Sequence, residues 1–248
     1  MLAIIKGLPD SGKTGLFAGL NEQEVKTRVY VDFETKKVPR YIKKKFIVVR
    51  YKTMGGLLNL IDKVNPENMD KVWKEKAPKG IDMIVVDPLA GLVEMLMQEL
   101  TGSDGKVPFG SADRELAKIV EKLNKSNVLI FGINHLVPQK EGSDPESVSG
   151  GYEFSKRGGW ESNTDVALLA KKTGVNRDLY LDPKNSRLPF DMELPASSIR
   201  ITGEGVDERA KTMNIEILVN EIIDYFELYK ADKKIEDKIA PAKTAETK

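Results

Sequence analysis

The sequence predicts an α/β fold: a central, mostly parallel sheet flanked by helices, with an antiparallel extension at one end. Three observations lead there. Apolar runs of strand length alternate with stretches of helical periodicity through the front of the chain, the pattern of a parallel sheet with crossover helices. A glycine-rich loop stands between the first apolar run and a helix-like stretch, the setting of a phosphate-binding turn. Two short runs in the back half are joined by a turn at residues 174–176, as in a hairpin.

The elements follow in order. Residues 2–5 (LAII) form the first strand, and 14–20 read as a helix. Residues 28–32 (RVYVD) and 46–51 (FIVVRY) read as the second and third strands. Leu57, Leu58, Leu60, Ile61 and Val64 recur at helical spacing over 55–64. The continuous apolar run 81–86 (IDMIVV) has the character of a buried parallel strand, and 127–133 (NVLIFGI) is another. Between them, 112–125 is amphipathic, with Leu116, Ile119, Val120 and Leu123 on one face. Residues 164–170, 178–181 and 198–201 suggest later strands, and 211–230 a long helix. The expected organisation is one domain over 1–230 and a charged, disordered tail over 231–248. Two stretches, about 98–111 and 137–163, read as loops too long to be simple connectors.

Bulk properties exclude several classes. The 248 residues suffice for one large core. The formal net charge of +1 gives no global attraction to nucleic acid or membrane, so such binding must come from local patches. There is no cysteine and one histidine, which excludes disulfides and argues against a zinc centre. No apolar run reaches membrane-spanning length, and the short apolar start leads directly into the glycine-rich loop rather than resembling a leader. The expectation is a soluble, cytoplasmic protein.

The loop itself is the sharpest signal. Gly7-Leu8-Pro9-Asp10-Ser11-Gly12-Lys13-Thr14 fits G-x-x-x-x-G-K-[ST], and Gly15 follows. Glycines let the backbone curl so that successive N–H groups face an anion, and a following helix adds its positive end. Lys13 can reach the β and γ phosphates and the Thr14 hydroxyl can bind Mg²⁺. ATP and Mg²⁺ are the expected ligands.

Other polar residues sit at strand ends. Asp87 ends the run 81–86, where α/β sheets bind ligands, and pairs naturally with Thr14 as a Mg²⁺ carboxylate; a helix cap is its plainer role. Pro88 occupies the position after Asp87 where many ATPases place a catalytic acid. That shifts the search to Asp32 and Glu34 at the end of the second strand. Glu34 is the candidate base; as a bland alternative it is a solvated loop acid. His135, beside Asn134 beyond the strand 127–133, is placed to sense a γ phosphate. Lys184 and Arg187, in the stretch KNSR, could reach a phosphate held by a neighbouring subunit. The run 36–45 (KKVPRYIKKK) carries six basic residues in ten and no acid. It is either a nucleic-acid contact or a solvated face.

In this order the motifs GLPDSGKT, YVDFE, IVVDPLAGL, LIFGINH and KNSR resemble the RecA-like ATPase core, over about residues 7–187. The similarity is nearest to short phage and viral RecA-like ATPases that consist of the core alone, including those grouped with single-strand annealing proteins. The DnaB-type helicases and KaiC share the scheme. The resemblance implies that Gly7, Gly12, Lys13 and Thr14 bind phosphate and Mg²⁺. It makes Glu34 the catalytic glutamate, Asp87 the magnesium carboxylate and His135 the γ-phosphate sensor. Lys184 and Arg187 would act across the interface of a homo-oligomer, a ring or short filament. The two long loops would face DNA, with Lys140, Lys156 and Arg157 on its phosphates and aromatics stacking bases. No N-terminal polymerisation segment is expected ahead of the first strand, which counts against a filament formed by that route, and the lysine-rich tail fits no part of the scheme.

The expected function is a Mg²⁺-dependent ATPase that binds single-stranded DNA in replication or recombination. Two alternatives remain open at this stage: a nucleotide-dependent switch or motor acting on a protein partner, and a small-molecule kinase using the same loop.

Overall fold

A computed structural model describes residues 1–20, 27–34, 38–64, 66–102, 105–106, 109–126, 128–136, 163–173, 176–181 and 198–202. Among the described residues eight strands form one sheet: β1 (Leu2–Gly7), β2 (Thr27–Asp32), β3 (Ile47–Val49), β4 (Ile81–Asp87), β5 (Leu129–His135), β6 (Val166–Thr173), β7 (Asn176–Leu181) and β8 (Ser198–Thr202). Their spatial order is β3-β2-β4-β5-β1-β6-β7-β8. The first six in that order are parallel to their neighbours, and β7 and β8 add on antiparallel. The mostly parallel sheet with an antiparallel extension is therefore as expected.

Strand alternation divides the core into two layers, because successive side chains of a strand point to opposite faces. Leu2, Ile4, Val29, Val31, Ile84, Val86 and Ile130 pack on one face. Ala3, Ile5, Tyr30, Met83, Val85, Leu129, Phe131 and Ile133 pack on the other. The first face is covered by α2 (Met54–Asp62), α3 (Lys71–Lys76), α4 (Leu89–Leu100) and α5 (Phe109–Lys125), which bury Leu57, Trp73, Leu92 and Leu116 there. Thr53 caps α2 by accepting from the Gly56 N–H, and Asp70 caps α3 by accepting from Trp73 N–H at 3.0 Å.

The second face is covered by less regular structure. The stretch Thr14–Gly19 is a 3₁₀ helix, not the α-helix expected after a phosphate loop. Two glycines in six residues, Gly15 and Gly19, give little support to an α-helix. The segment is instead held by its apolar anchors: Phe17 meets Phe131 edge-on at 5.3 Å and Phe46 at 5.8 Å. Beside it, α1 (Arg40–Lys45) buries Ile42 completely.

Two further departures stand out. Helix α4 occupies residues where no element was expected. Together with the early start of α5 at Phe109, it shortens the connection expected over 98–111 from both sides. The long loop 137–163, the helix 211–230 and the tail 231–248 fall outside the described residues but for Asn163, as do Lys140, Lys156, Arg157, Lys184 and Arg187. No helix among the described residues is long and apolar enough to cross a membrane.

Candidate functional site

Four neighbouring strands, β2, β4, β5 and β1, end side by side; the first three deliver Asp32, Asp87 and His135 to one cleft, and β1 leads into the glycine-rich loop that borders it. In register, Asp32 stands opposite Asp87 and Gly7 opposite His135. Strands in a sheet lie about 4.8 Å apart, so tip residues on one face are brought within reach of one another. Asp32, Asp87 and His135 share the parity of Tyr30, Val85 and Ile133, which places all three toward the face that carries Thr14–Gly19 and α1. The cleft encloses about 390 Å³ and is lined by Gly12, Lys13, Thr14, Glu34, Asp87 and His135, with Val38, Pro39 and Tyr41 as an apolar side wall. That volume is in the range of small-ligand sites.

The loop after β1 is tightly wound. Asp10 has φ 60° and Gly12 φ 92°, both left-handed, which glycine adopts freely and Asp tolerates. Gly7 cannot be larger: a Cβ there would stand 2.5 Å from both the Ala170 carbonyl oxygen and the Ser11 hydroxyl. Lys13 is folded into the loop, its ammonium donating to the carbonyls of Gly7 at 2.8 Å and Leu8 at 2.6 Å. Burial pulls its pKa from 10.5 down to about 8, against the opposing pull of Asp87, Glu34 and Asp10. A buried cation among neutral carbonyls is poorly compensated, and a phosphate oxygen would be a far better acceptor.

Thr14 and Asp87 are joined directly: the Thr14 hydroxyl donates to Asp87 Oδ2 at 2.8 Å. Tyr30 donates its phenol to the same oxygen. Asp87 is 4 % exposed, and burial pushes its carboxyl above the usual range while the two hydroxyls hold it back. Burial and then the Asp87 charge push the Tyr30 phenol far above its ordinary value, so it stays a donor.

Glu34 is held in place by the backbone around it. Its N–H donates to Asp32 Oδ1 at 3.0 Å, while Asp32 Oδ2 takes Arg50 Nε at 2.6 Å. Phe33 N–H donates to the Asp87 carbonyl at 2.8 Å and extends the β2–β4 ladder past the strand end. Gly91, in the first turn of α4, permits this: a Cβ there would lie 2.5 Å from Phe33 Cβ.

His135 Nε2 lies 3.3 Å from Glu34 Oε1. The contact is within ion-pair range but out of line for a hydrogen bond, and both ring nitrogens are shielded from water without a partner among the described residues. Burial, followed by the Lys13 charge, pulls the imidazole below its usual value, with Asp87 and Glu34 acting against it. His135 is therefore neutral at pH 7, with one nitrogen able to donate and the other to accept. Asn134 has the opposite parity on β5 and does not line the cleft, so the expected Asn134–His135 pair is split across the sheet.

Glu34, Asp87 and His135 each bring one ligand atom to within 4.8 Å of the others. The Thr14 hydroxyl and the Asp87 carboxylate, which touch one another, are both oxygen donors and suit a hard divalent cation such as Mg²⁺. The unpartnered His135 nitrogens point to a polar ligand in the same space.

The structure thus gathers Gly7, Pro9, Asp10, Gly12, Lys13, Thr14, Gly15, Glu34, Asp87 and His135 in one region. Leu8 is exposed at its edge and Ser11 is buried under the loop. Sequence reasoning missed Tyr30, Arg50 and Tyr41. For Tyr30 a signal existed: it precedes Asp32 by two residues and so shares its face. Arg50 is reached only through tertiary pairing. No protein-family model matches this chain, and no curated protein matches it.

Proposed function

We propose that the chain is a Mg²⁺-dependent ATPase with a RecA-like core that binds single-stranded DNA in replication or recombination of the phage or viral kind. The observation that carries the nucleotide reading is the meeting of the Gly7–Thr14 loop with Asp87, Glu34 and His135 in one cleft. The loop N–H groups and Lys13 would hold the phosphates. Thr14 and Asp87 would hold Mg²⁺, which supplies neutralisation of phosphate charge. Glu34, fixed by the Asp32–Arg50 pair, would take the proton of the attacking water. Neutral His135 would hydrogen-bond the γ phosphate or that water. The DNA part rests on the order of the motifs. The cations Lys184 and Arg187 would complete the site from a second copy.

A second reading draws on the apolar wall of Val38, Pro39 and Tyr41 beside the acids, which could seat a small phosphate acceptor as in a kinase.

One experiment separates the readings: phosphate release measured alone and with single-stranded DNA, duplex DNA, RNA or a nucleoside panel. Lys13→Ala should abolish turnover. Glu34→Gln should leave nucleotide binding intact and lower turnover by about 10²–10⁴-fold, the usual contribution of a general base. Normal hydrolysis by Glu34→Gln would remove Glu34 as the base. Phosphate appearing on an acceptor instead of in solution would favour the kinase.

A further inference from the structure

Helix α1 carries a face that the nucleotide site does not use. Arg40, Lys43 and Lys44 are all exposed. Spaced i, i+3 and i+4, they fall on one side of the helix, opposite Ile42, which is 0 % exposed. Among the described residues none of the three makes an ion pair or side-chain hydrogen bond. Four other surface lysines, Lys63, Lys118, Lys122 and Lys125, pair with Asp70, Glu115, Asp62 and Glu121; Lys71, Lys74 and Lys76 of α3 do not, but Glu75 stands among them, whereas the run 36–45 carries no acid. Like charges at these spacings repel by a few tenths of a kcal/mol, about 0.2–0.5 per pair. The helix dipole excuses lysines in the last turn but not Arg40 in the first. In a protein of net charge +1, this is a local concentration of unmatched positive charge.

We propose that the outer face of α1, through Arg40, Lys43 and Lys44, binds the phosphate backbone of single-stranded nucleic acid. This rests on the nucleic-acid half of the function proposed above and assigns to it residues other than those of the two long loops. Among the described residues the face has no exposed large apolar side chain to insert into a bilayer: Ile42 is committed to the core, and the exposed large apolar residues there are Leu8 and Val72, neither of them on α1. Cations without apolar neighbours suit a phosphate backbone. The same helix reaches the cleft from its other side, where Pro39 and Tyr41 line the wall beside Glu34 and Lys13. A strand bound on the outer face would therefore lie on the helix that walls the cleft of the candidate hydrolytic residues.

The test is binding of a fluorescent oligo-dT to the full chain, without nucleotide, from 50 to 200 mM salt. The triple variant Arg40→Gln/Lys43→Gln/Lys44→Gln should lower the salt slope by about 2, from about 0.7 per cation lost on a single strand. At 50 mM it should bind on the order of a hundredfold more weakly. The control Lys71→Gln/Lys74→Gln/Lys76→Gln, on α3, removes the same charge and should bind as the parent does. Circular dichroism confirms folding of each variant. Basal ATP turnover is measured in parallel. Turnover in the parent with oligo-dT binding absent, or unchanged in the α1 variant, overturns this proposal and leaves the ATPase reading standing. Binding through α1 without turnover does the reverse. Equal losses in both variants, or binding to anionic vesicles but not to oligo-dT, also overturn it.

Discussion

Replacing Lys13 with Met should stabilise the free protein while abolishing its response to nucleotide. The Lys13 side chain is buried against loop carbonyls, and burial lowers its pKa from 10.5 to about 8. At 1.36 kcal/mol per pH unit, the folded state bears a penalty of about 3 kcal/mol for keeping that proton. The unfolded chain holds its proton up to 10.5, whereas the folded chain releases it near 8. Below about pH 8 both states are protonated and the folded state carries the whole penalty. It fades as pH rises from 8 to 10.5, and stability rises with it. Methionine is similar in length and carries no charge. The carbonyls it deserts keep backbone donors, Leu136 N–H on Gly7 and Ser11 N–H on Leu8, so the offset is about 1 kcal/mol. The net gain at pH 7 is about 2 kcal/mol, which for a chain of this size raises Tm by about 4–8 °C. Thermal unfolding of both proteins at pH 7 and pH 10.5, with and without Mg-ATP, reads every part of this. The variant should melt higher at pH 7, lose that advantage at pH 10.5, and show no shift with Mg-ATP where the parent does. A variant that melts lower at pH 7, or keeps an equal advantage at both pH values, would refute the picture of a strained lysine awaiting an anion.

Two smaller changes probe the shell around the acids. Tyr30→Phe keeps the ring that packs against Phe46 but removes a donor from buried Asp87. Denaturant unfolding should show a loss of about 1.5–3 kcal/mol, the usual worth of a hydrogen bond to a charged group; a loss below 0.5 kcal/mol, on the order of a surface substitution, would mean that Asp87 does not need the phenol. Gly91→Ala places a methyl 2.5 Å from Phe33 Cβ. It should cost about 1–3 kcal/mol by overpacking and lower turnover as Phe33 carries Glu34 away from the cleft; unchanged turnover would show that Glu34 is held by Asp32 alone.

The strands were legible because buried parallel strands are continuous apolar runs, and β1, β4 and β5 are that. Helix α4 was legible too, in hindsight: Leu89, Leu92, Val93 and Leu96 follow the i, i+3, i+4, i+7 pattern. Pro88 and Gly91 punctuate it as a turn would. Yet Pro88 sits at the N-cap, where a missing N–H costs nothing, and Gly91 is there for the approach of Phe33. The basic run 36–45 hid α1 in the same way, since its helical signal is a single apolar residue, Ile42, fully buried. The 3₁₀ form of Thr14–Gly19 follows from two glycines whose cost a motif match does not register.

The site shows why a motif and a strand order together say more than either. A phosphate loop fixes one point, Gly7, at the end of β1. Which acids face it depends on which strands end beside β1 and on parity along each. Pairing places β5 next to β1 and β4 next to β5, with β2 beyond. Parity then selects His135 over Asn134, and Asp87 over Val86, on the face where Lys13 and Thr14 lie. Parity along the second strand also selects Tyr30 and Asp32 over Val29 and Val31. So a hydroxyl falls on Asp87, and a carboxylate is left to anchor the Glu34 backbone. The partner of that carboxylate, Arg50, follows directly on the end of the next strand over, eighteen residues along the chain. No local pattern announces such a contact. It exists because β3 pairs with β2 at the sheet edge, and it makes the position of Glu34 a property of the sheet rather than of a loop.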